Sequence, residues 1–255
     1  MSDEIVRYEL RDGISTITID RPEARNALNR AVREGLWAAF RRFVDDDEAL
    51  VAILTATGDK VFCAGADLKE MSQTGLAVPP PDFVPQLGRN LITDKPVIAA
   101  VNGLAYAGGF ALAQMCDLCI AAETAKFAIT EAKWSRGAPW AAPLPWMIPP
   151  RVALELLLTA EPIDAHRAHE IGLVNRVVPL ARLQEEARAL ALRIAQNAPL
   201  SVRAGKRMVY ATAERRRSES FDEAERIFEP VYKSEDAQEG PRAFLEKRAP
   251  VWRKR

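Results

Sequence analysis

The chain is poor in the residues that most often mark a reactive site. Its 255 residues include 2 histidines and 3 cysteines. A Ser-His-Asp triad would have to draw on His166 or His169, in DAHRAHEIG, which read as solvated or capping residues of a surface helix. That pair is not HExxH and has no evident third ligand, so no metal site is expected. Cys63, Cys116 and Cys119 are an odd number in a long chain, which fits a reducing cytoplasm rather than a disulfide framework. Cys116 and Cys119 have CxxC spacing. No second pair completes a zinc site, and a helix reads as ending there, so all are expected as core thiols.

Charge of one sign is also lacking, since Lys+Arg and Asp+Glu number 35 each. No nucleic-acid partner is expected from such a balance; the run Arg215-Arg216-Arg217 is the local exception. No uncharged apolar window approaches the roughly 18 residues of a membrane span, so no membrane partner is expected. The charged opening MSDEIVRYELRDG does not read as a signal peptide, and a cytoplasmic location is expected. There is no GxxxxGK[ST], no GxGxxG after a strand and no GxSxG elbow.

What is present is ordinary core material and a repeating pattern. Hydrophobic residues make up 48% and charged ones 27%, enough for a globular core. ISTITID (14–20) alternates as a strand, and RPEARNALN leads to Asn29 as the N-cap of a helix through about Val44. LVAILTA (50–56) and KPVIAAVNG (95–103) are apolar runs of strand length, suited to a sheet covered on both faces. Each is followed by a small-residue turn and a helix, the second helix spanning about 108–116. DLCIAAETAKFAIT adds short strands, and the proline-rich AVPPPDFVP (77–85) reads as a mobile surface loop. The alternation predicts an α/β layer architecture with crossover helices. The last third is helical. Leu183, Ala187, Leu190, Ala191, Ile194 and Ala195 form one amphipathic stripe, and helices follow at about 200–214, 219–233 and 236–248.

The turns at Phe62–Leu68 and Gly103–Ala111 share one form: apolar strand, small-residue turn, helix. At the carboxyl ends of parallel strands, two such turns could each donate one N–H to a single oxygen, as an oxyanion hole does. Tight packing alone also explains small residues there. Asp67 reads as the N-cap of the helix after the first turn.

Taken together, RPEARNALN, FCAGADLKEM, AVNGLAYAGGFALAQMCD, AKFAITEAKW, LTAEPIDAHRAHEIGLVNRVVP and SEDAQEGPRAFLEKRAPVW resemble the crotonase, or enoyl-CoA hydratase/isomerase, superfamily over essentially the whole chain. The resemblance implies a crotonase-like spiral of ββα units, with an α/β core over 1–195 and a C-terminal helical trimerisation region over 196–255. It implies an acyl-CoA thioester as substrate, no cofactor beyond the coenzyme A that the substrate carries, and a homotrimer or a hexamer of paired trimers. The enolate-stabilising N–H groups match Ala66 and Gly108. The coenzyme A contacts match Arg25, Ala27, Ala64, Asp67 and Leu68, with Phe244 and Lys247 covering the adenine end of a neighbouring subunit's ligand. An ordinary amphipathic helix also explains the last pair.

Hydratases of the family hold a water between two glutamates. One matches Glu131; the other falls at position 111, where this chain has Ala111. Glu131 also reads as an acid complementing a helix N-terminus. One carboxylate suits proton transfer, as in double-bond isomerisation, better than hydration, where a second group must orient water. Asp67, Glu70 and Tyr106 are the nearby candidates for a substitute. After Glu131 the family's glycines and proline give way to Ser135, Ala138, Pro139 and Trp140, and Trp134, Trp140 and Trp146 add bulk that serves either packing or acyl recognition. The leading expectation is thus an enolate-forming thioester enzyme with one glutamate. The alternatives are a hydratase with a recruited second group and a non-catalytic acyl-CoA- or RNA-binding homologue.

Overall fold

The computed structural model describes residues 4–74, 78–213 and 215–255. The chain opens with β1 (Val6–Arg11) and β2 (Ile14–Ile19), an antiparallel hairpin that pairs Arg11 with Ile14. Asp12 and Gly13 at its tip both have positive φ, 53° and 74°, which an Asp-Gly pair accommodates. The sequence pattern located only the second of these strands. The first alternates less cleanly because one side of it faces solvent at Glu9 and Arg11.

The next elements are α1 (Arg30–Asp45), β3 (Val51–Ala56), β4 (Val61–Cys63) and α2 (Leu68–Thr74). Then come β5 (Val97–Val101), β6 (Leu104–Tyr106), α3 (Gly108–Gln114), β7 (Leu118–Ala122) and β8 (Lys126–Ala128). Beyond a 3-10 turn at Glu131–Trp134 lie α4 (Leu144–Met147), α5 (Pro150–Thr159), β9 (Ile163–Asp164), α6 (Ala165–Glu170) and β10 (Arg176–Val178). The chain closes with α7 (Leu183–Ala195), α8 (Pro199–Ala213), α9 (Arg217–Tyr232) and α10 (Asp236–Leu245). Of the loop expected over 77–85, Ala77 lies outside the described residues, and 78–85 run as turns and irregular chain.

The strands divide between two sheets in a regular way. β1-β2-β3-β5-β7-β10 form the larger sheet and β4-β6-β8-β9 the smaller. Successive strand pairs β3/β4, β5/β6 and β7/β8 send their first strand to the larger sheet and their second to the smaller, so the chain winds as a spiral of ββα units. The short strands β4, β6 and β8 lie side by side and parallel.

Strand periodicity splits the apolar runs between two cores. Ala52, Leu54, Val97, Ala99 and Val101 face the main core with Phe40, Phe62 and Phe110. Val51, Ile53, Ile98, Ala100 and Ile120 face the other way, against Leu183, Ala187, Leu190 and Ala191 of α7. The expected stripe of α7 is therefore the cover of the larger sheet, and this explains why β3 and β5 read as continuous apolar runs.

Candidate active site

The three neighbouring parallel strands of the smaller sheet end in the three residues of interest. The turn after β4 carries Ala66, the turn after β6 leads into Gly108, and the turn after β8 carries Glu131. A backbone hydrogen bond joins the strands just before the last two, Ala107 N–H donating to Ala128 O at 2.9 Å.

The two small-residue turns touch. A Cβ on Gly65 would lie 2.8 Å from Ala107 Cβ and 3.3 Å from the Gly108 nitrogen, and one on Gly108 would lie 2.8 Å from Leu28 Cδ1. Gly65 also sits at φ +93°, where a side chain is strained whatever the space. Ala107 has φ 50° and ψ −118°, an uncommon geometry for a non-glycine residue immediately before the α3 amides. Neither Ala66 nor Gly108 donates its N–H to an acceptor among the described residues. Gly109 allows the closest approach of all: a Cβ there would stand 2.0 Å from Cys63 O.

RPEARNALN folds over the same place. Ala64 N–H donates to Arg25 O at 3.1 Å and Leu28 N–H to Gly65 O at 2.8 Å. Arg25 and Asn26 both adopt the left-handed conformation, at φ 55° and 52°. The buried Asn26 fixes this bend, its Nδ2 donating to Thr57 O and Val61 O at 3.0 and 2.8 Å. Arg25, Ala27, Ala64, Ala66 and Gly108, expected together, thus come from loops in contact.

Glu131 opens the 3-10 turn and is half-buried. Its Oε1 accepts from Trp140 Nε1 at 2.9 Å. Its Oε2 is buried with no hydrogen-bond partner among the described residues. Burial pushes the carboxyl above its ordinary 4.5, while its own backbone N–H and the Trp140 indole oppose the rise. Ala111, on α3, is buried and adds no polar group.

Two of the three expected substitutes, Asp67 and Glu70, are otherwise engaged. Asp67 does cap α2, Oδ1 accepting from the Lys69 and Glu70 amides at 3.0 and 3.2 Å. Its Oδ2 takes the Arg21 guanidinium at 2.6 Å, which with the amides holds its carboxyl below the usual range. Glu70 pairs with Arg33 and accepts from Arg30 N–H. Tyr106 lies near Lys133 and Glu161, its hydroxyl raised by burial.

Other expected residues stand apart. Phe244 is 82% exposed on α10, an element that packs on α9, and Lys247 follows it at φ 53°. His169 Nδ1 meets Val174 O at 2.9 Å beside the end of α6. The three thiols are free and buried, with Cys63 and Cys119 pushed up to about 12, so they remain protonated core groups. Arg215 pairs with Glu223; the Arg217 side chain lies outside the described residues. Trp134 and Trp146 are 65% and 64% exposed, so of Trp134, Trp140 and Trp146 it is Trp140 that packs against the core. Sequence reasoning did not foresee its bond to Glu131. The signal was available in part, because a buried indole N–H needs an acceptor.

A family model for enoyl-CoA hydratase/isomerase matches residues 9–255. The chain belongs to the enoyl-CoA hydratase/isomerase family. Within that family it is 41% identical over 252 residues to a carnitinyl-CoA dehydratase of Salmonella typhi, with 95% of each chain covered. It resembles the crystal structure of an enoyl-CoA hydratase from Mycobacterium tuberculosis H37Rv with TM-score 0.91 at 40% identity, over 99% of this chain and 100% of that one. A carnitinyl-CoA hydratase from Mycobacterium avium matches with TM-score 0.75 at 42% identity, covering 100% of both. The chain is accordingly an enzyme of enoyl-CoA hydratase/isomerase type, acting on CoA thioesters, with the crotonase fold.

Proposed function

We propose that the protein transfers protons at the enolate of an acyl-CoA thioester, with Ala66 and Gly108 N–H as the oxyanion hole and Glu131 as the single acid–base. The observation that carries this reading is the Glu131 carboxyl itself, whose Oε2 is buried and unpartnered among the described residues, in a chain whose position 111 is a buried alanine. Glu131 Oε2 takes the proton from the carbon next to the thioester carbonyl, and the electron pair moves onto the thioester oxygen, held by the two amides. The same carboxyl then returns the proton elsewhere along the acyl chain. Two aligned N–H donors are worth several kcal/mol to such an oxyanion, roughly 3–4 for each. Arg25, Ala27, Ala64, Asp67 and Leu68 form the coenzyme A side of the site.

A second reading is reversible dehydration of a 3-hydroxyacyl-CoA, favoured by the carnitinyl-CoA dehydratase that is 41% identical. There Glu131 would work with a recruited group, and among the earlier candidates Asp67 and Glu70 are tied to arginines. The purified protein should be given crotonyl-CoA, a 3-enoyl-CoA and carnitinyl-CoA, with products resolved by mass spectrometry. Faster conversion of the 3-enoyl ester supports the first reading; faster hydration or dehydration of the others replaces it with the second. Tight binding of all three without turnover would leave only a binding homologue.

The exposed Phe221, Tyr232, Phe244 and Leu245 on α9 and α10 support a trimer, single or paired, in which 196–255 serves as the trimerisation region and Phe244 and Lys247 reach a neighbour's ligand. Three buried free thiols support a cytoplasmic location. Among the described residues no helix is long and apolar enough to cross a membrane.

A further inference from the structure

Trp140 is built into its place from α3. Its main-chain oxygen accepts from Gln114 Nε2 at 3.0 Å, and its ring lies against Phe110, centroids 5.6 Å apart at 41°. Phe110 in turn meets Phe127 of β8 edge-on at 5.9 Å. Gln114 and Phe110 flank Ala111 on the same helix, so the helix that lacks a carboxylate at position 111 anchors the indole instead. The indole N–H then reaches Glu131 Oε1 at 2.9 Å.

An indole N–H can only donate. It therefore favours the ionised carboxylate and cannot exchange a proton with it. It also fixes the terminal Glu torsion, which otherwise has a broad, roughly two-fold preference. Among the described residues no charged side chain shifts Glu131; besides burial, its own N–H and the Trp140 indole bear on it.

We propose that Trp140 is the positioning residue of Glu131, holding Oε1 so that Oε2 is the one oxygen that removes and returns the proton. The proposal rests on Glu131 being the acid–base. It assigns to a tryptophan from the segment after Glu131 the task of orienting that carboxylate. It also accounts for the unpartnered Oε2 as an oxygen left open for substrate.

The test replaces Trp140 with 3-benzothienylalanine, which keeps the ring size and packing but exchanges N–H for sulfur, alongside Trp140→Phe. The Glu131 carboxyl is titrated directly by infrared difference spectroscopy, assigned by its loss in Glu131→Gln. Loss of the N–H should raise the Glu131 titration by about one pH unit or more. For whichever thioester the protein turns over, kcat should fall about 10–100-fold while KM changes little. An unmoved titration in the benzothienyl variant overturns the proposal, as does an unmoved kcat. Should no thioester be turned over, the acid–base reading fails, while the titration still decides whether the indole governs Glu131.

Discussion

The Glu131 carboxyl lies above the ordinary 4.5, because burial penalises the ionised form, and this bears on its proposed role as the acid–base. As a base it must be ionised, so kcat/KM should fall with decreasing pH along a limb lying above 4.5, which a pH–rate profile reads directly. The stability trend has the opposite sense. A carboxyl whose folded value is raised favours folding when protonated, and that contribution is lost as pH rises from the unfolded value through the folded one. Glu131→Gln should therefore be more stable than the parent at pH 7 in urea titrations, while losing about 10²–10⁴-fold in turnover and keeping CoA-ester binding. Unchanged turnover would remove Glu131 from the mechanism. The resemblance is what singled out position 131 as a candidate. Its indole partner could not be singled out, because Trp140 lies nine positions beyond Glu131, across two short 3-10 turns and a loop, and no periodicity connects them.

Among the elements, the approach of α3 to β4 is the most constrained packing near the site. Gly109 places its backbone against Cys63 O, where an added Cβ would stand at 2.0 Å. Gly109→Ala must push α3 away from the turn that carries Ala66, and overpacking of this kind costs about 1–3 kcal/mol or more. The expected outcome is a lower Tm together with a loss of turnover larger than the stability change explains, since both amides of the proposed oxyanion hole shift. Normal activity at an unchanged Tm would show that the two turns need not approach so closely. The pattern of small residues was visible in AGGFALAQ and FCAGAD. Which glycine serves conformation and which serves contact was not: Gly65 alone among the three has positive φ, whereas Gly108 and Gly109 are required by neighbours distant in sequence.

At the scale of the whole molecule, a nearly buried cluster helps tie α8 to the spiral. Asp117, just before β7, accepts from Val97 N–H and Lys206 Nζ at 2.7 and 2.8 Å through Oδ2, and from Tyr210 OH at 2.8 Å through Oδ1. The Lys206 and Asp117 side chains are 10% and 13% exposed, so removing one leaves the other's charge uncompensated. Asp117→Ala should cost roughly 3–5 kcal/mol in urea unfolding. If α8 carries subunit contacts, sedimentation velocity should also show dissociation; full stability and an unchanged assembly would place the anchor of α8 elsewhere.

The sequence by itself determined the local elements and the two-faced sheet. A strand covered on both sides must read as an unbroken apolar run, and α7 must carry a stripe to cover it. Through its ordered motifs it also indicated the family and the positions of Ala66, Gly108 and Glu131. Only the tertiary structure decided that β4, β6 and β8 lie side by side, and so deliver those positions to one end of one sheet. It alone decided that Asp67 and Glu70 are spent on arginines and that Trp140 holds Glu131. Those outcomes depend on contacts between residues far apart in the chain, and strand order and side-chain pairing leave no period in the sequence to read.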